Sequence, residues 1–187
     1  DRWMLARVNE TVEKARQYLY EYEIGSARHE IDELFWKDFC DNYIEIVKDR
    51  LYQPDIHGEE ERRSGQYALY HALLSILKLY APYVPHITEA IYLDFFRQHE
   101  GVKSIHLLKW EQSVKTDAEI LMFGESLKKS VAEVRKYKSE HNLSMRTEIG
   151  EMVVSAPETL LPFFKMSEKD LLACSRAGKI ICRAEES

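Results

Sequence analysis

Apolar residues in the first half of the chain recur at the spacing of an α-helix. Between Arg2 and Tyr22 they are separated by alternating steps of three and four residues, with charged residues between them. This pattern predicts a first helix that Gly25 ends, with Ser26 as the N-cap of the next helix. The apolar positions of the first helix are Leu5, Val8, Val12, Ala15, Leu19 and Tyr22.

A second helix is predicted from about Ala27 to Leu51, and it is apolar on more than one side. A helix of this kind lies deep in a bundle or presents a second face to a partner. The sequence Gln53-Pro54-Asp55 ends it, because proline cannot continue a helix.

Two further helices complete a predicted antiparallel bundle. The third begins in the acidic run of residues 59–61, which suits the positive end of a helix dipole, and Pro82 breaks it. The fourth follows Pro85 and is closed by Gly101. Residues 104–110 have no helical period, so we expect an extended segment laid across the bundle.

The pattern changes in the C-terminal part. Residues 117–141 form a long amphipathic helix with basic final turns, and residues 149–155 and 179–183 have strand character, with two short helices between them. The predicted fold class is therefore mainly α. An antiparallel helical bundle over residues 1–115 is followed by a long helix and a small α/β unit over residues 116–187. We expect the boundary near Val114 to Asp117.

Composition narrows the class of protein. The 187 residues carry a formal net charge of −6, which argues mildly against non-specific nucleic-acid binding but does not exclude a local cationic patch. No apolar run approaches the ~20 residues of a membrane helix, and three widely spaced cysteines indicate neither a disulfide framework nor a zinc site. With no initiator Met and no signal peptide, we expect a cytoplasmic piece of a longer protein, without a membrane partner.

Ordinary catalytic signatures are missing from the sequence. It contains no phosphate-binding glycine loop, no HExxH motif and no GxSxG motif, and its seven histidines are scattered singly. We therefore predict no catalytic residue, no metal site and no cofactor in this chain.

The second helix carries the sharpest functional signal, because residues 35–52 combine aromatic and polar groups beyond what one core-facing stripe requires. One interpretation is a bundle helix with two packing faces. The other is a recognition helix, in which Asn42 binds a base edge, Tyr43 or Ile44 packs on a base and Lys48 meets a phosphate.

Five short motifs follow one another along the chain. They are residues 1–9 (DRWMLARVN), 35–45 (FWKDFCDNYIE), 80–92 (YAPYVPHITEAIY), 104–110 (SIHLLKW) and 134–144 (VRKYKSEHNLS). Together they resemble the anticodon-binding helical domain of class I aminoacyl-tRNA synthetases, and the runs 39–45 and 138–144 favour the valyl members. The sequence departs from the family pattern at Asn42, where many members carry an aromatic residue, and at Ala90 and Glu111.

The resemblance implies a non-catalytic part of an enzyme that attaches valine to its tRNA. ATP and Mg²⁺ would bind in a catalytic domain that, like an editing domain, belongs to the same polypeptide but lies outside this chain. The implied partner is the anticodon loop of valine tRNA. The residues expected to contact RNA are Asn42, Tyr43, Ile44, Glu45 and Lys48 on the exposed side of the second helix, and Arg135, Lys136, Lys138 and Arg146 for phosphates.

Three alternatives remain open at this point. The basic residues after position 134 also suit a solvated helix end, because cations stabilise the C-terminal end of a helix dipole. The same domain occurs in isoleucyl and leucyl enzymes. A helical protein–protein interaction module without RNA binding is the third, and salt-dependent binding of tRNA distinguishes it from an RNA-binding domain.

Overall fold

The computed structural model describes residues 1–111 and 116–185, and over these residues the protein is mainly helical with a two-stranded sheet. This confirms the predicted fold class. The helices are α1 (Arg2–Tyr20), α2 (Ile24–Asp32), α3 (Ile44–Tyr52), α4 (Pro54–His57), α5 (Glu59–Tyr80), α6 (Pro85–Phe95), α7 (Arg97–Glu100), α8 (Ala118–Glu140), α9 (Leu161–Met166) and α10 (Glu168–Ser175). The strands are β1 (Ile149–Ala156) and β2 (Ala177–Ala184), and a π-helical segment (Glu33–Tyr43) joins α2 to α3.

The chain divides into two compact units, each built from two separate stretches of sequence. We call Asp1–Asp41 with Gln66–Thr116 the helical unit, and Asn42–Gly65 with Asp117–Ser187 the α/β unit. The α/β unit therefore includes α3, α4 and the start of α5 as well as the residues after 116. The predicted division into residues 1–115 and 116–187 stays a prediction. Residues 114 and 115 of its expected boundary lie outside the described residues.

The helical unit begins with two helices that pack against each other. α1 buries Val8, Val12 and Ala15, as its apolar period predicts, together with Trp3 and Met4 nearer its start. A turn of three residues separates α1 from α2, so the two helices form a hairpin.

The turn between α1 and α2 differs from the prediction. Gly25 lies inside α2, and Ser26 is not its cap. α1 ends instead with Tyr22 in the left-handed conformation, at φ 62°. The amide of Glu23 donates to the Tyr18 carbonyl at 2.8 Å, which closes a Schellman motif around Tyr22. The prediction was wrong because hydrogen bonds at this helix end fix the turn without a glycine.

A second core of the helical unit forms where α5 meets α6. Leu74 and Leu77 of α5 pack with Tyr92 of α6 and with Ile105. Ile105–Leu107 forms a 3₁₀ turn, so the expectation of a fully extended segment over residues 104–110 is wrong there. The Glu89 carboxylate of α6 holds the start of this turn, because it accepts hydrogen bonds from the Ser104 hydroxyl and the Ile105 amide.

The α/β unit is built on two parallel strands, paired from Ile149 with Ala177 to Ala156 with Ala184. α8 contacts β1, α9 contacts β2, and α10 contacts both β2 and α8. α3 packs against α10, where Arg50 and Asp170 form an ion pair at 3.6 Å. The strands and the long helix α8 lie where the sequence predicts them, within two residues at each end.

None of the helices in the described part of the chain has the length and hydropathy of a membrane span.

Candidate RNA-binding surface

Helix α3 divides its residues between the core of the α/β unit and the surface. Lys48 and Tyr52 are exposed and lie one turn apart on the same side, and 84% of Tyr52 is accessible to solvent. An ammonium group and an aromatic ring are thus presented together. The buried side consists of Ile46, Val47 and Arg50, preceded by Tyr43.

Three other predicted residues border this exposed side. Asn42, Ile44 and Glu45 are partly exposed, and the Glu45 carboxylate accepts a hydrogen bond from the Lys48 ammonium. We call Asn42, Ile44, Glu45, Lys48 and Tyr52 the α3 face. It brings together four of the five residues that the sequence predicts on the second helix.

Tyr43 is the exception, and its predicted position on the exposed side is wrong. It is fully buried, and burial raises the pKa of its phenol well above the usual value. The physical reason lies in the π-helical segment that ends at Tyr43. Its hydrogen bonds span five residues instead of four, so side chains within it depart from the α-helical period used for the prediction.

Lys138 is the second predicted residue that the structure contradicts. Only 2% of it is exposed, so it is not available to a phosphate. Its ammonium donates hydrogen bonds to the backbone carbonyls of Met145, at 3.0 Å, and Ser175, at 2.9 Å. Burial lowers the pKa of Lys138, and the nearby charge of Arg176 lowers it further. Lys138 therefore has a structural role inside the unit.

The other predicted cations near the end of α8 reach the surface to different degrees. Lys136 is exposed and lies 3.8 Å from Glu140, whereas Arg135 is partly buried. Arg146 is exposed in the loop between α8 and β1. Exposure makes contact with a phosphate feasible for these three residues, and their role in RNA binding stays a prediction.

The two groups of predicted RNA-contacting residues, one on α3 and one near the end of α8, are on helices that both contact α10. Burial raises the pKa of the Cys174 thiol to about 11, and the charges acting on it include Arg135 of α8 and Glu45 of α3. α10 packs against both α3 and α8. The helices that carry the two predicted sets of residues therefore border one element of the α/β unit.

Sequence reasoning missed three exposed residues with suitable chemistry. Tyr52 lies four positions after Lys48, a spacing that could have placed it on the same face. Arg176 is exposed immediately before β2. In the helical unit, 59% of Trp36 is accessible, although its sequence context suggests a core residue.

Metal binding finds no support in the geometry. Within residues 1–111 and 116–185, no three His, Cys, Asp or Glu side chains are grouped so that they could hold a metal ion.

Comparison with known proteins gives one consistent result. The valine–tRNA ligase of Thermococcus kodakarensis is 32% identical over 182 residues, which cover 96% of this chain and 20% of that protein. The enzyme of Pyrococcus abyssi is 35% identical with the same coverage. That of Orientia tsutsugamushi is 39% identical over 158 residues, or 82% of this chain and 18% of that protein. The chain thus spans about a fifth of the length of these relatives.

The family profile described as the anticodon-binding domain of tRNA ligase matches residues 1–154. This range contains the α3 face, all of α8 and Arg146, and it covers most of the helical architecture. The chain belongs to the family of anticodon-binding domains of tRNA ligases.

Proposed function

We propose that this chain binds the anticodon loop of valine tRNA, as the non-catalytic part of a cytoplasmic valine–tRNA ligase. The relatives above are valine–tRNA ligases, which favours valine over isoleucine and leucine as the amino acid of the parent enzyme. In this proposal, ATP, Mg²⁺ and valine bind in catalytic and editing domains of the same polypeptide, outside this chain.

The α3 face is the observation that carries the proposal. Single-stranded loops expose the faces and edges of their bases, and proteins recognise them by stacking and hydrogen bonding. Tyr52 offers an aromatic surface, Asn42 offers an amide that can pair with a base edge, and Lys48 offers a charge for the adjacent phosphate. Ile44 adds an apolar contact between them.

RNA binding by the α3 face is compatible with the negative net charge of the chain. A net charge of −6 describes the whole chain, whereas binding depends on the surface presented. Glu45 pairs with Lys48 in the free protein, so RNA phosphate competes for the ammonium. Binding is therefore expected to weaken steeply with salt, because phosphate contacts release counterions.

The test is a titration of the chain with valine tRNA and a non-cognate tRNA at two salt concentrations. We expect tighter binding of valine tRNA, weakened by salt. Tyr52→Ala should weaken that binding by ~1–3 kcal/mol if a base stacks on the ring. Equal affinity for both tRNAs would contradict valine specificity, and salt-independent binding would favour the protein–protein module.

Lys48→Gln has a matched control in the helical unit. Lys37 is also an exposed lysine paired with a glutamate one turn away, at 2.7 Å from Glu33. We expect Lys48→Gln to weaken tRNA binding more than Lys37→Gln does. Equal losses would show that the effect comes from total charge and not from the α3 face.

The proposal also predicts what the chain does not do. Because its sequence has no nucleotide-binding motif, it should neither activate valine with ATP nor charge tRNA. Valine-dependent pyrophosphate exchange by the purified chain would contradict this.

A further inference from the structure

One buried ammonium group connects three segments of the α/β unit. Lys138 lies in the last turn of α8, Met145 lies in the following loop, and Ser175 is the last residue of α10. Because both carbonyl oxygens lie within 3.0 Å of the same Nζ atom, they are within about 6 Å of each other. Lys138 thereby fixes the loop after α8 against the end of α10.

Each of the two residues that accept these hydrogen bonds is followed by an exposed arginine. Arg146 follows Met145, and Arg176 follows Ser175. Neither guanidinium forms an ion pair with a carboxylate among residues 1–111 and 116–185. Two exposed cations therefore follow two carbonyl groups that the Lys138 ammonium holds close together.

The sheet topology independently places these arginines at one edge. β1 and β2 are parallel, so their first residues, Ile149 and Ala177, are partners. Arg146 and Arg176 both precede these first residues, and the Ile149 amide donates to the Arg176 carbonyl at 2.9 Å. A hollow of about 510 Å³ opens beside Arg176, and Gly150 and Gly178 also line it.

The electrostatics of this edge depend on Lys138. α8 and α10 both end here, and the C-terminal end of a helix carries partial negative charge. The Lys138 ammonium binds the terminal carbonyl of α10 and offsets that charge. Glu148 also lines the hollow and is the carboxylate that opposes an anion there.

Arg176 adopts a conformation that arginine does not favour. It ends α10 in the left-handed region, at φ 59°, where glycine is the usual residue. Such a position is sterically unfavourable for a residue with a side chain. As at Tyr22, a backbone hydrogen bond fixes this helix end, here from the Arg176 amide to the Leu172 carbonyl, so the fold does not depend on the Arg176 guanidinium.

We propose that Arg146 and Arg176 form a binding site for the sugar–phosphate backbone of tRNA, with Lys138 as the positioning residue that holds them side by side. The inference rests on the proposed function, since it assumes that tRNA is the ligand. Arginine suits the task because its planar guanidinium donates two parallel hydrogen bonds to a phosphate. Contacts to the backbone orient RNA without reading its sequence. Arg176 also lies outside residues 1–154 that match the family profile.

The test compares tRNA binding by the whole chain and by the double variant R146Q/R176Q over a range of salt concentrations. We expect the slope of log K against log salt to become shallower by about 1 to 2, as for the loss of one or two phosphate contacts. Both valine and non-cognate tRNA should be weakened by the same factor. An unchanged slope would overturn the proposal.

A matched control removes the same charge elsewhere in the unit. Lys165 and Lys169 are exposed near the N-terminal end of α10, whereas Arg176 follows its C-terminal end. K165Q/K169Q should leave most of the slope intact, and an equal loss would overturn the proposal by showing a general effect of charge. The unmodified chain could instead bind valine tRNA and non-cognate tRNA equally well, with a salt dependence that is lost in R146Q/R176Q. That result would contradict valine specificity and support the arginine site. If the unmodified chain binds no tRNA, both are overturned.

The role of Lys138 has its own readout. K138M should make the salt slope shallower, although residue 138 is buried and contacts no RNA. K138R should restore part of the slope, because a guanidinium can also donate to two carbonyls. A K138M chain that remains folded and keeps the original slope would show that Lys138 does not position the arginines.

Discussion

One cation in each compact unit shows a different way of holding buried charge. In the helical unit, the Arg7 guanidinium donates to the Asp38 carboxylate at 2.7 Å and to Glu10 at 2.8 Å. Burial disfavours the charged guanidinium, but hydrogen bonding and the charge of Asp38 outweigh burial and raise the pKa of Arg7. In the α/β unit, Lys138 is held by carbonyl oxygens, with the positive charge of Arg176 nearby.

This difference shows what each unit can offer to a ligand. The helical unit repeats the pattern of paired charges at Lys78, whose ammonium binds the Glu111 carboxylate. Its buried cations are therefore neutralised inside the protein and add little to the field outside. Carbonyl dipoles stabilise the Lys138 ammonium but do not cancel its charge, and Arg146 and Arg176 follow the two residues that supply those carbonyls. This difference between the carboxylate partners of Arg7 and Lys78 and the carbonyl partners of Lys138 supports the proposal that the RNA backbone binds to the α/β unit.

The largest expected effect comes from breaking a pair in the helical unit. Asp38→Ala removes a buried carboxylate and leaves the Arg7 guanidinium largely buried, which should lower the free energy of unfolding by about 3 kcal/mol. Urea denaturation measures it. Glu10→Gln is the control, because Glu10 pairs with the same guanidinium but is more exposed than Asp38. This variant should lower the free energy of unfolding by less than ~1 kcal/mol. Equal effects would show that burial does not set the strength of the pair.

Lys138→Met should destabilise less than Asp38→Ala, by about 1–2 kcal/mol. The variant leaves two carbonyls without their lysine partner but no uncompensated charge, and it removes the cost of burying an ammonium. The same urea experiment compares the two variants. If Lys138→Met costs as much as Asp38→Ala, carbonyl dipoles stabilise a buried cation as well as a carboxylate does.

Alkaline pH should affect both units in the same direction. Burial, with a hydrogen bond to Glu100, raises the pKa of Tyr70 in the helical unit to about 12, and burial raises that of Cys174 in the α/β unit to about 11. The folded protein therefore holds protons that the unfolded chain releases above its ordinary thiol and phenol pKa values, from about pH 9 and 10. Stability contributed by these groups is complete below that range and is lost as pH rises through 11 and 12. Chemical denaturation at pH 8 and pH 10.5 measures the loss, and equal stability at both would contradict it.

The sequence was sufficient where structure follows from local periodicity. The apolar period of α8 predicts its bounds and even places Lys138 on the apolar side, seven residues after Val131. Its burial was missed because its two acceptors lie 7 and 37 residues away along the chain. Tertiary contacts of that range leave no mark on a local pattern.

The α3 face was predicted only in part for a related reason. An α-helical period through residues 27–51 assumes one helix type, whereas the π-helical segment changes the period before Tyr43. Residues after the segment, such as Lys48, keep the expected exposure, and Tyr43 at its end does not. The identity of the residues that contact RNA stays a prediction, because such contacts depend on the shape and position of the RNA as well as on the protein.

The smallest expected change in stability has the opposite sign from the others. Arg176→Gly removes a side chain from a left-handed position, where glycine avoids steric strain, so the free energy of unfolding should rise by about 0.5–1 kcal/mol. The hydrogen bonds that place this residue are made by its backbone and by Ser175, and they remain available to glycine.

The same substitution should weaken tRNA binding and make its salt dependence shallower by about 1, because one cation is lost from the arginine pair. If Arg176→Gly is more stable than the parent chain but binds tRNA less tightly, the side chain serves binding and not folding. Replacement of a purely structural arginine would lower both stability and binding, or neither. Thermal unfolding and tRNA titration on the same preparation decide the matter. A stabilised variant with unchanged binding would make Arg176 a tolerated helix end, and the proposed backbone site would then depend on Arg146 alone.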